Sequence, residues 1–211
     1  MFESLFQAYK DAKDNISRRM AHRVLLRRLR HERTLVLVPG HYKRAIGNDP
    51  GACANQTNEH LEVVNICNRA WEILQRDDFN AIVIPEGLLL KEKIAWINKN
   101  FPKCVLLSVH MNAGRNDVRG VESWYLSYNR KMRECADEAS KIMNRYTGIK
   151  IRDSKGDLTN HHGSLGILRC TKPVDELLIE IGFITNKDDL TRARLSGGEA
   201  VAEVAKMLYY S

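Results

Sequence analysis

The sequence predicts a single α/β domain with a mostly parallel central sheet flanked by helices, preceded by a basic amphipathic helix. Two observations support this prediction. From residue 34 onward, short apolar runs alternate with longer segments in which apolar residues recur every three or four positions. The 211 residues are 44% hydrophobic and 28% charged, a composition that suits a globular protein with a core and excludes a disordered chain.

The predicted strands are short runs rich in Val, Ile and Leu. The first, TLVLV at residues 34–38, is rich in apolar residues and is therefore typical of a buried strand. A loop rich in Gly, Pro and Asn follows it over residues 39–57. The six predicted strands are residues 34–38, 81–84, 104–109, 121–126, 165–168 and 177–181.

The predicted helices are amphipathic and follow the strands in the chain. Asn58 is predicted to cap the first of them, with Leu61, Val64, Trp71 and Leu74 facing the core. A later helix is predicted to align one apolar face, formed by Met132, Ala136, Ala139, Met143 and Tyr146. The five predicted helices are residues 58–76, 91–100, 130–146, 187–194 and 198–209.

Residues 1–33 differ in charge from the rest of the chain. They hold nine basic and four acidic residues, which gives them five of the seven net positive charges. Their apolar residues recur at helical spacing, so the segment is predicted to be a basic amphipathic helix that precedes a domain of residues 34–211. Either its apolar stripe packs on that domain, or its basic face binds an anionic polymer or membrane surface of the cell envelope. Nucleic acid is disfavoured because no aromatic residues are interleaved with the arginine cluster.

Several function classes are excluded or disfavoured by simple patterns. No uncharged run approaches the roughly 20 residues that span a bilayer, so no transmembrane segment is expected. The first residues lack the basic start and apolar stretch of a signal peptide, which predicts a chain folded in a cytoplasm. The five cysteines form no Cys-x-x-Cys pair and are expected to be reduced, with Cys104 and Cys170 buried.

Three polar residues are predicted to meet at the carboxyl ends of the strands, where α/β sheets place their chemistry. His41 follows the first strand by two residues, His110 directly follows the run 104–109, and Glu59 opens the helix after the first loop. Two imidazoles and one carboxylate are a donor set of catalytic zinc sites. Taken singly, however, such a histidine more often caps a loop, and such a glutamate more often faces the positive end of its helix.

Glu180 is a fourth candidate because it interrupts an apolar strand, LLIEIGF. A carboxylate there is costly unless it is protonated, paired or near a cation. Either it faces outward from an edge strand, or it is a general base with a perturbed pKa beside a metal.

Five segments together resemble a known family. They are residues 38–41 (VPGH), 49–52 (DPGA), 108–113 (SVHMNA), 120–122 (GVE) and 173–186 (PVDELLIEIGFITN). They are similar to motifs of the zinc-dependent N-acetylmuramoyl-L-alanine amidases of the type-3 amidase family. Those enzymes cleave peptidoglycan between the lactyl group of N-acetylmuramic acid and the L-alanine of the stem peptide. The chain departs from the family pattern at Val38, where the family has Asp, and by an insertion at residues 42–48.

The resemblance implies a set of site residues. The zinc ligands would be His41, Glu59 and His110, with Glu62 as the alternative carboxylate, and the catalytic carboxylate would be Glu180. His161 and His162 would not be ligands. These two histidines lie in a polar loop. They would either line the substrate groove or be exposed to solvent.

The resemblance also implies a biological setting. A compact, basic chain without an export signal is most similar to a phage endolysin, held in the host cytoplasm before release to the cell wall. A bacterial amidase that remodels the cell wall is the alternative within the same enzyme class. A catalytically silent module that binds peptidoglycan or another polyanion is the alternative outside it.

Overall fold

A computed structural model describes residues 33–44, 47–160 and 164–211 of the chain. Within them, six strands form one sheet and two short strands form a hairpin beside it. The sheet strands are β1 (Leu35–Pro39), β4 (Ala81–Val83), β5 (Val105–Asn112), β6 (Val121–Tyr125), β7 (Ile151–Gly156) and β8 (Asp175–Phe183). The hairpin strands are β2 (Cys53–Ala54) and β3 (Thr57–Asn58).

The sheet is mostly parallel, as predicted. Its strand order is β4-β1-β5-β8-β6-β7, and all neighbouring pairs are parallel except β6 and β8, which are antiparallel. The carboxyl ends of β1, β5 and β8 therefore lie at one edge of the sheet. The α/β fold class is confirmed.

In the described part of the chain, five α-helices flank the sheet. They are α1 (Glu59–Arg76), α2 (Leu90–Asn100), α3 (Arg130–Thr147), α4 (Gly166–Cys170) and α5 (Lys187–Tyr210). Asparagine caps the three long ones: side chains of Asn58, Asn129 and Asn186 accept hydrogen bonds from backbone N–H groups in the first turns of α1, α3 and α5. The predicted cap at Asn58 is thus confirmed.

The two faces of the sheet are covered unequally, and this inequality creates the site. The long helices α1, α3 and α5 pack on one face and bury the larger apolar core. The short helices α2 and α4 cover part of the other face, where a smaller core includes Val36, Leu106 and Trp124. The rest of that second face, toward the carboxyl ends of β5 and β8, stays open.

Three predicted elements are wrong in type or extent. Residues 165–168 were expected to be a strand but begin helix α4, because a run of four apolar residues carries no period that distinguishes helix from strand. The helices expected at 187–194 and 198–209 are one continuous helix, α5. Gly197, between the two predicted helices, and Gly198, the first residue of the second, let α5 approach α1 closely: a methyl group on Gly197 would lie 3.2 Å from Cδ1 of Ile66.

Several side chains expected in the core are at the surface. Leu61, Trp71 and Tyr146 are 50%, 40% and 40% exposed, and Cys170 is also exposed. In α1 the buried face is instead the one that carries Glu59, and its apolar members are Val63, Ile66, Cys67, Ala70, Ile73 and Leu74. Cys104 is buried as expected.

The predicted N-terminal helix lies outside the described residues, apart from Arg33. That arginine contacts Asp175 of β8, with 3.4 Å between Nη1 and Oδ2, and its guanidinium lies 5.7 Å from the ring of Tyr209. Among the described helices, none combines the length and apolarity required to cross a membrane.

Glu176, at the start of β8, makes the stability of the fold depend on pH. It is 6% exposed, and burial, together with the charge of neighbouring Asp175, raises its pKa to about 7. The folded chain therefore holds a proton there that the unfolded chain releases near its ordinary, lower pKa. Above pH 7 the buried carboxylate is ionised and lowers the free energy of unfolding.

We expect Glu176→Gln to raise the free energy of unfolding at pH 8 by about 1–3 kcal/mol, because it removes that buried charge. At pH 5 the effect should be smaller, since Glu176 is already protonated in the folded state. Urea unfolding at both pH values measures the difference, with exposed Glu134→Gln as the control. Equal effects at the two pH values would contradict this account.

Candidate active site

The candidate residues meet on the open face of the sheet, at the carboxyl ends of β1, β5 and β8. His110 of β5 and Glu180 of β8 are directly paired across their parallel strands. Glu180 is also paired with Glu122 across the antiparallel strand β6. Because paired residues point to the same face of a sheet, these three side chains form a row across the open face.

His41 is presented by a strained turn just beyond β1. Its φ of 55° lies in the left-handed region that residues with side chains seldom adopt. Buried Lys93 of α2 holds this turn, because its Nζ donates to the carbonyl oxygens of Pro39 and His41, both over 2.6 Å. Burial lowers the pKa of Lys93 to about 8. Helix α2 thus fixes the backbone from which His41 projects.

Glu59 lies at the first position of α1 and joins the two histidines. Its backbone N–H donates to the carbonyl of Ala52, which sets the start of the helix against the hairpin. Its Oε2 lies 3.0 Å from Nε2 of His41, and its Oε1 lies 3.0 Å from Nδ1 of His110. Oε1 also accepts the backbone N–H of Met111 over 3.2 Å. The carboxylate is therefore fixed in the centre of the site.

The charges of this cluster support one another. Burial alone would raise the pKa of Glu59, but hydrogen bonds from His110 and His41 outweigh it and hold that pKa well below its usual range. Burial likewise opposes a charge on His41, but Glu59 and Asp49 raise the pKa of His41 above its ordinary value. Glu59 is consequently ionised at neutral pH.

His41, Glu59 and His110 fit a metal ion. Each offers one ligand atom, and these atoms lie within 4.8 Å of one another. The other ring nitrogen of His41, Nδ1, lies 3.1 Å from Oδ1 of Asp49, so a carboxylate orients the ring as in many metal sites. A set of two imidazoles and one carboxylate leaves a coordination position for water or substrate.

Two glycines make room for the cluster, a role that the sequence analysis missed. A methyl group on Gly40 would lie 2.5 Å from Cε1 and Nδ1 of His110. One on Gly51, whose φ is 68°, would lie 2.5 Å from Cδ2 of His41 and 2.6 Å from Oε2 of Glu59. Gly40 belongs to the motif VPGH and directly precedes the candidate ligand His41, and Gly51 belongs to the motif DPGA in the loop that follows. These positions were the signal in the sequence that could have indicated close packing at the site.

Glu180 lies beside the cluster but has a different environment. Its Oε2 is buried and has no hydrogen-bond partner among the described residues. Burial, together with the negative charges of Glu59 and Glu122, raises the pKa of Glu180 well above its ordinary value. Its strand lies inside the sheet, between β5 and β6, so the interpretation of an outward-facing residue on an edge strand is wrong.

The alternative carboxylate, Glu62, points away from the cluster. It accepts hydrogen bonds from Arg194, over 2.6 and 2.9 Å, and from the hydroxyl of Thr57 over 2.5 Å. It is Glu59 that lies between the two candidate histidines. His161 and His162 lie outside the described residues.

Two cavities meet at the candidate site. The larger is an open groove of about 1070 Å³ along the uncovered face, reaching from His41 and Glu59 to β7. The smaller, of about 240 Å³, is lined mainly by apolar side chains, among them Val38, Leu90 and Ile167. Both are lined by His41 and His110, so a ligand in either one would contact the cluster.

Comparison with known families decides the assignment. A family model described as N-acetylmuramoyl-L-alanine amidase matches residues 35–208, nearly the whole described region. The chain belongs to this amidase family. The match contains all five motif segments and all four candidate residues. No curated protein matches the chain.

Several solved structures share the fold. The catalytic domain of the CD27L endolysin targeting Clostridia difficile matches with a TM-score of 0.67 and 22% identity, over 85% of this chain and 97% of that one. An N-acetylmuramoyl-L-alanine amidase from Clostridium difficile 630 matches with a TM-score of 0.66 and 21% identity, over 84% of this chain and 93% of that one. Cwp6 from Clostridium difficile matches with a TM-score of 0.65 and 23% identity. The match covers 84% of this chain but only 28% of Cwp6.

We expect Gly40→Ala to weaken Zn²⁺ binding roughly tenfold to hundredfold, because the added methyl group displaces the His110 ring. Competition with a chelator measures the dissociation constant. Gly166→Ala is the control, since its methyl group would meet Leu90 at an ordinary 3.4 Å. Unchanged affinity in Gly40→Ala would show that His110 does not bind the ion in this position.

Proposed function

We propose that the chain hydrolyses the amide between the lactyl group of N-acetylmuramic acid and the L-alanine of the stem peptide, using Zn²⁺. The observation that carries the proposal is the convergence of His41, Glu59 and His110 within 4.8 Å, in a chain of this amidase family. Membership of the family supports peptidoglycan as the substrate.

The three ligands would supply an electrostatically suitable site. Zn²⁺ in such a site acidifies water and polarises an amide carbonyl. The ionised carboxylate of Glu59 cancels one of the two positive charges, and the imidazoles of His41 and His110 are neutral as ligands. The remaining positive charge would stabilise the oxyanion that develops on the amide oxygen. Asp49 would keep the His41 ring in its ligand orientation.

Glu180 is proposed as the general base and acid. Its Oε2 is buried and has no hydrogen-bond partner among the described residues, so it is available to accept the proton of the attacking water. The same oxygen would then return that proton to the leaving nitrogen of L-alanine. The raised pKa of Glu180 favours this second transfer, because a carboxyl with a raised pKa is protonated in a larger fraction of molecules near neutral pH and can donate that proton.

Mass spectrometry of products from purified peptidoglycan tests the proposal. The Zn²⁺-loaded protein should release stem peptides that begin with L-alanine. Glu180→Gln should retain Zn²⁺ but lose at least about 100-fold in rate, the usual contribution of a general base. Glu62→Gln is the matched control, because Glu62 is bound by Arg194 outside the cluster and its variant should keep both metal and activity.

Two results would refute the assignment. Cleavage between sugars, or within the stem peptide, would show a different reaction. Near-normal turnover by Glu180→Gln would show that another group transfers the proton.

We also propose that the protein acts as a phage endolysin and that residues 1–33 attract it to the anionic cell envelope. The net charge of five in this segment supports the second point. The likeness to an endolysin catalytic domain supports the first, although amidases of other settings share the fold.

Deletion of residues 1–33 should weaken co-sedimentation with cell envelopes roughly tenfold at low salt, and less at high salt because the charges are screened. Hydrolysis of small soluble muropeptides should be unchanged. A collapse of that hydrolysis would show instead that the segment packs on the domain and belongs to the fold.

A further inference from the structure

The groove carries a second polar cluster on its far wall, at strand β7. Arg152 and Lys155 both contact Glu122 of β6, which is 3% exposed. Arg152 Nε and Lys155 Nζ donate to its Oε1 over 2.6 and 3.1 Å, and Asn112 Nδ2 donates to its Oε2 over 3.0 Å. The buried carboxylate thus anchors two cations at the groove.

These cations keep unused donors. Among the described residues, the two terminal nitrogens of Arg152 and the other N–H groups of Lys155 have no hydrogen-bond partner. The guanidinium of Arg152 lies 5.0 Å from the ring of Phe183, and the ammonium of Lys155 lies 5.4 Å from that of Trp124. Asp153 lies opposite Glu122 in the strand register and also lines the groove, so two carboxylates match the two cations in formal charge, and a ligand would be recognised by the unused N–H donors. Nearby Asp153 uses one carboxylate oxygen to accept its neighbour's backbone N–H.

The cluster lies at a defined distance from the candidate catalytic row. Strand β7 is two strands beyond β8, which carries Glu180, in the order β8-β6-β7. Neighbouring strands are about 4.8 Å apart, so β7 lies roughly 10 Å from β8. An extended peptide advances about 3.3 Å per residue. Long side chains that reach back from β7 would therefore meet the second or third residue after the cleaved amide.

We propose that Arg152 and Lys155 form a carboxylate-binding subsite for the acidic second residue of the stem peptide. The proposal rests on the amidase function proposed above and adds the orientation in which the stem peptide lies in the groove. In the substrate, the lactyl carboxyl is consumed in the amide, and free carboxylates occur on the peptide side. The unused donors of Arg152 and Lys155 would therefore orient the peptide toward β7, and planar guanidinium donors suit a carboxylate.

Calorimetry on Zn²⁺-loaded Glu180→Gln, which should bind substrate and turn it over at least about 100-fold more slowly, tests the subsite. The two ligands are N-acetylmuramyl-L-Ala-D-Glu, with a free α-carboxylate, and its D-isoglutamine counterpart, in which that group is a carboxamide. The acidic ligand should bind about tenfold more tightly. Adding Lys155→Gln should remove most of this preference by weakening the acidic ligand alone, and Lys155→Arg should preserve it.

Two further variants sharpen the comparison. Lys150→Gln removes the same charge from an exposed position just before β7 and should leave the preference intact. Arg152→Gln should reduce the preference as Lys155→Gln does.

The proposal is overturned if the two ligands bind equally, if neither binds, or if the preference survives both Lys155→Gln and Arg152→Gln. The amidase function has a separate readout, the products from peptidoglycan. A wild-type protein that cleaves no muropeptide, but whose preference is lost in Lys155→Gln, would refute the hydrolysis and retain the subsite.

Discussion

The bonds from Glu59 to His41 and His110 are the interaction on which the site depends. A buried carboxylate is stable only when partners compensate its lost hydration, and here both imidazoles do so. Their approach in turn requires glycine at positions 40 and 51, and the strained backbone at His41 requires Lys93. Neighbouring elements, including the hairpin, α1 and α2, are therefore arranged around one carboxylate.

Three glutamates on the open face have different hydrogen-bond partners and therefore suit different roles. Glu59 is held between two imidazoles, and Glu122 accepts from two cations and an amide. Glu180 lies beside both and has an oxygen without a partner in the described part of the chain. The pKa of Glu59 is held well below its usual range by its two imidazole partners despite burial, whereas the pKa of Glu180 is raised by burial and by its charged neighbours. Adjacent carboxylates with such different proton affinities are a common basis for dividing charge stabilisation from proton transfer.

The sequence predicted the parts of this arrangement that follow from period and topology. Strongly apolar parallel strands placed His41 and His110 at one edge, and the structure brings both to Glu59. It could not predict β7, because IRDSKG is polar, as suits an edge strand, and lacks the apolar run that identifies a buried one. Helix α4 was missed because its few apolar residues show no distinguishing period. The clamp by Lys93 depends on how α2 packs, which local sequence does not encode.

Strand β7, which the sequence did not predict, determines where basic side chains lie relative to the groove. Beyond residue 33 the chain has 24 basic and 22 acidic residues by composition, so net charge alone provides little attraction for an acidic substrate. The placement of individual basic residues matters more than the net charge. Strand β7 brings Arg152 and Lys155 to one wall of the groove, and buried Glu122 holds them there. Donors placed in this way would orient a ligand at short range, whereas the net positive charge of residues 1–33 would act on a large anionic surface over about a Debye length. The two proposals, attraction to an envelope and recognition of a peptide, therefore rest on different parts of the chain.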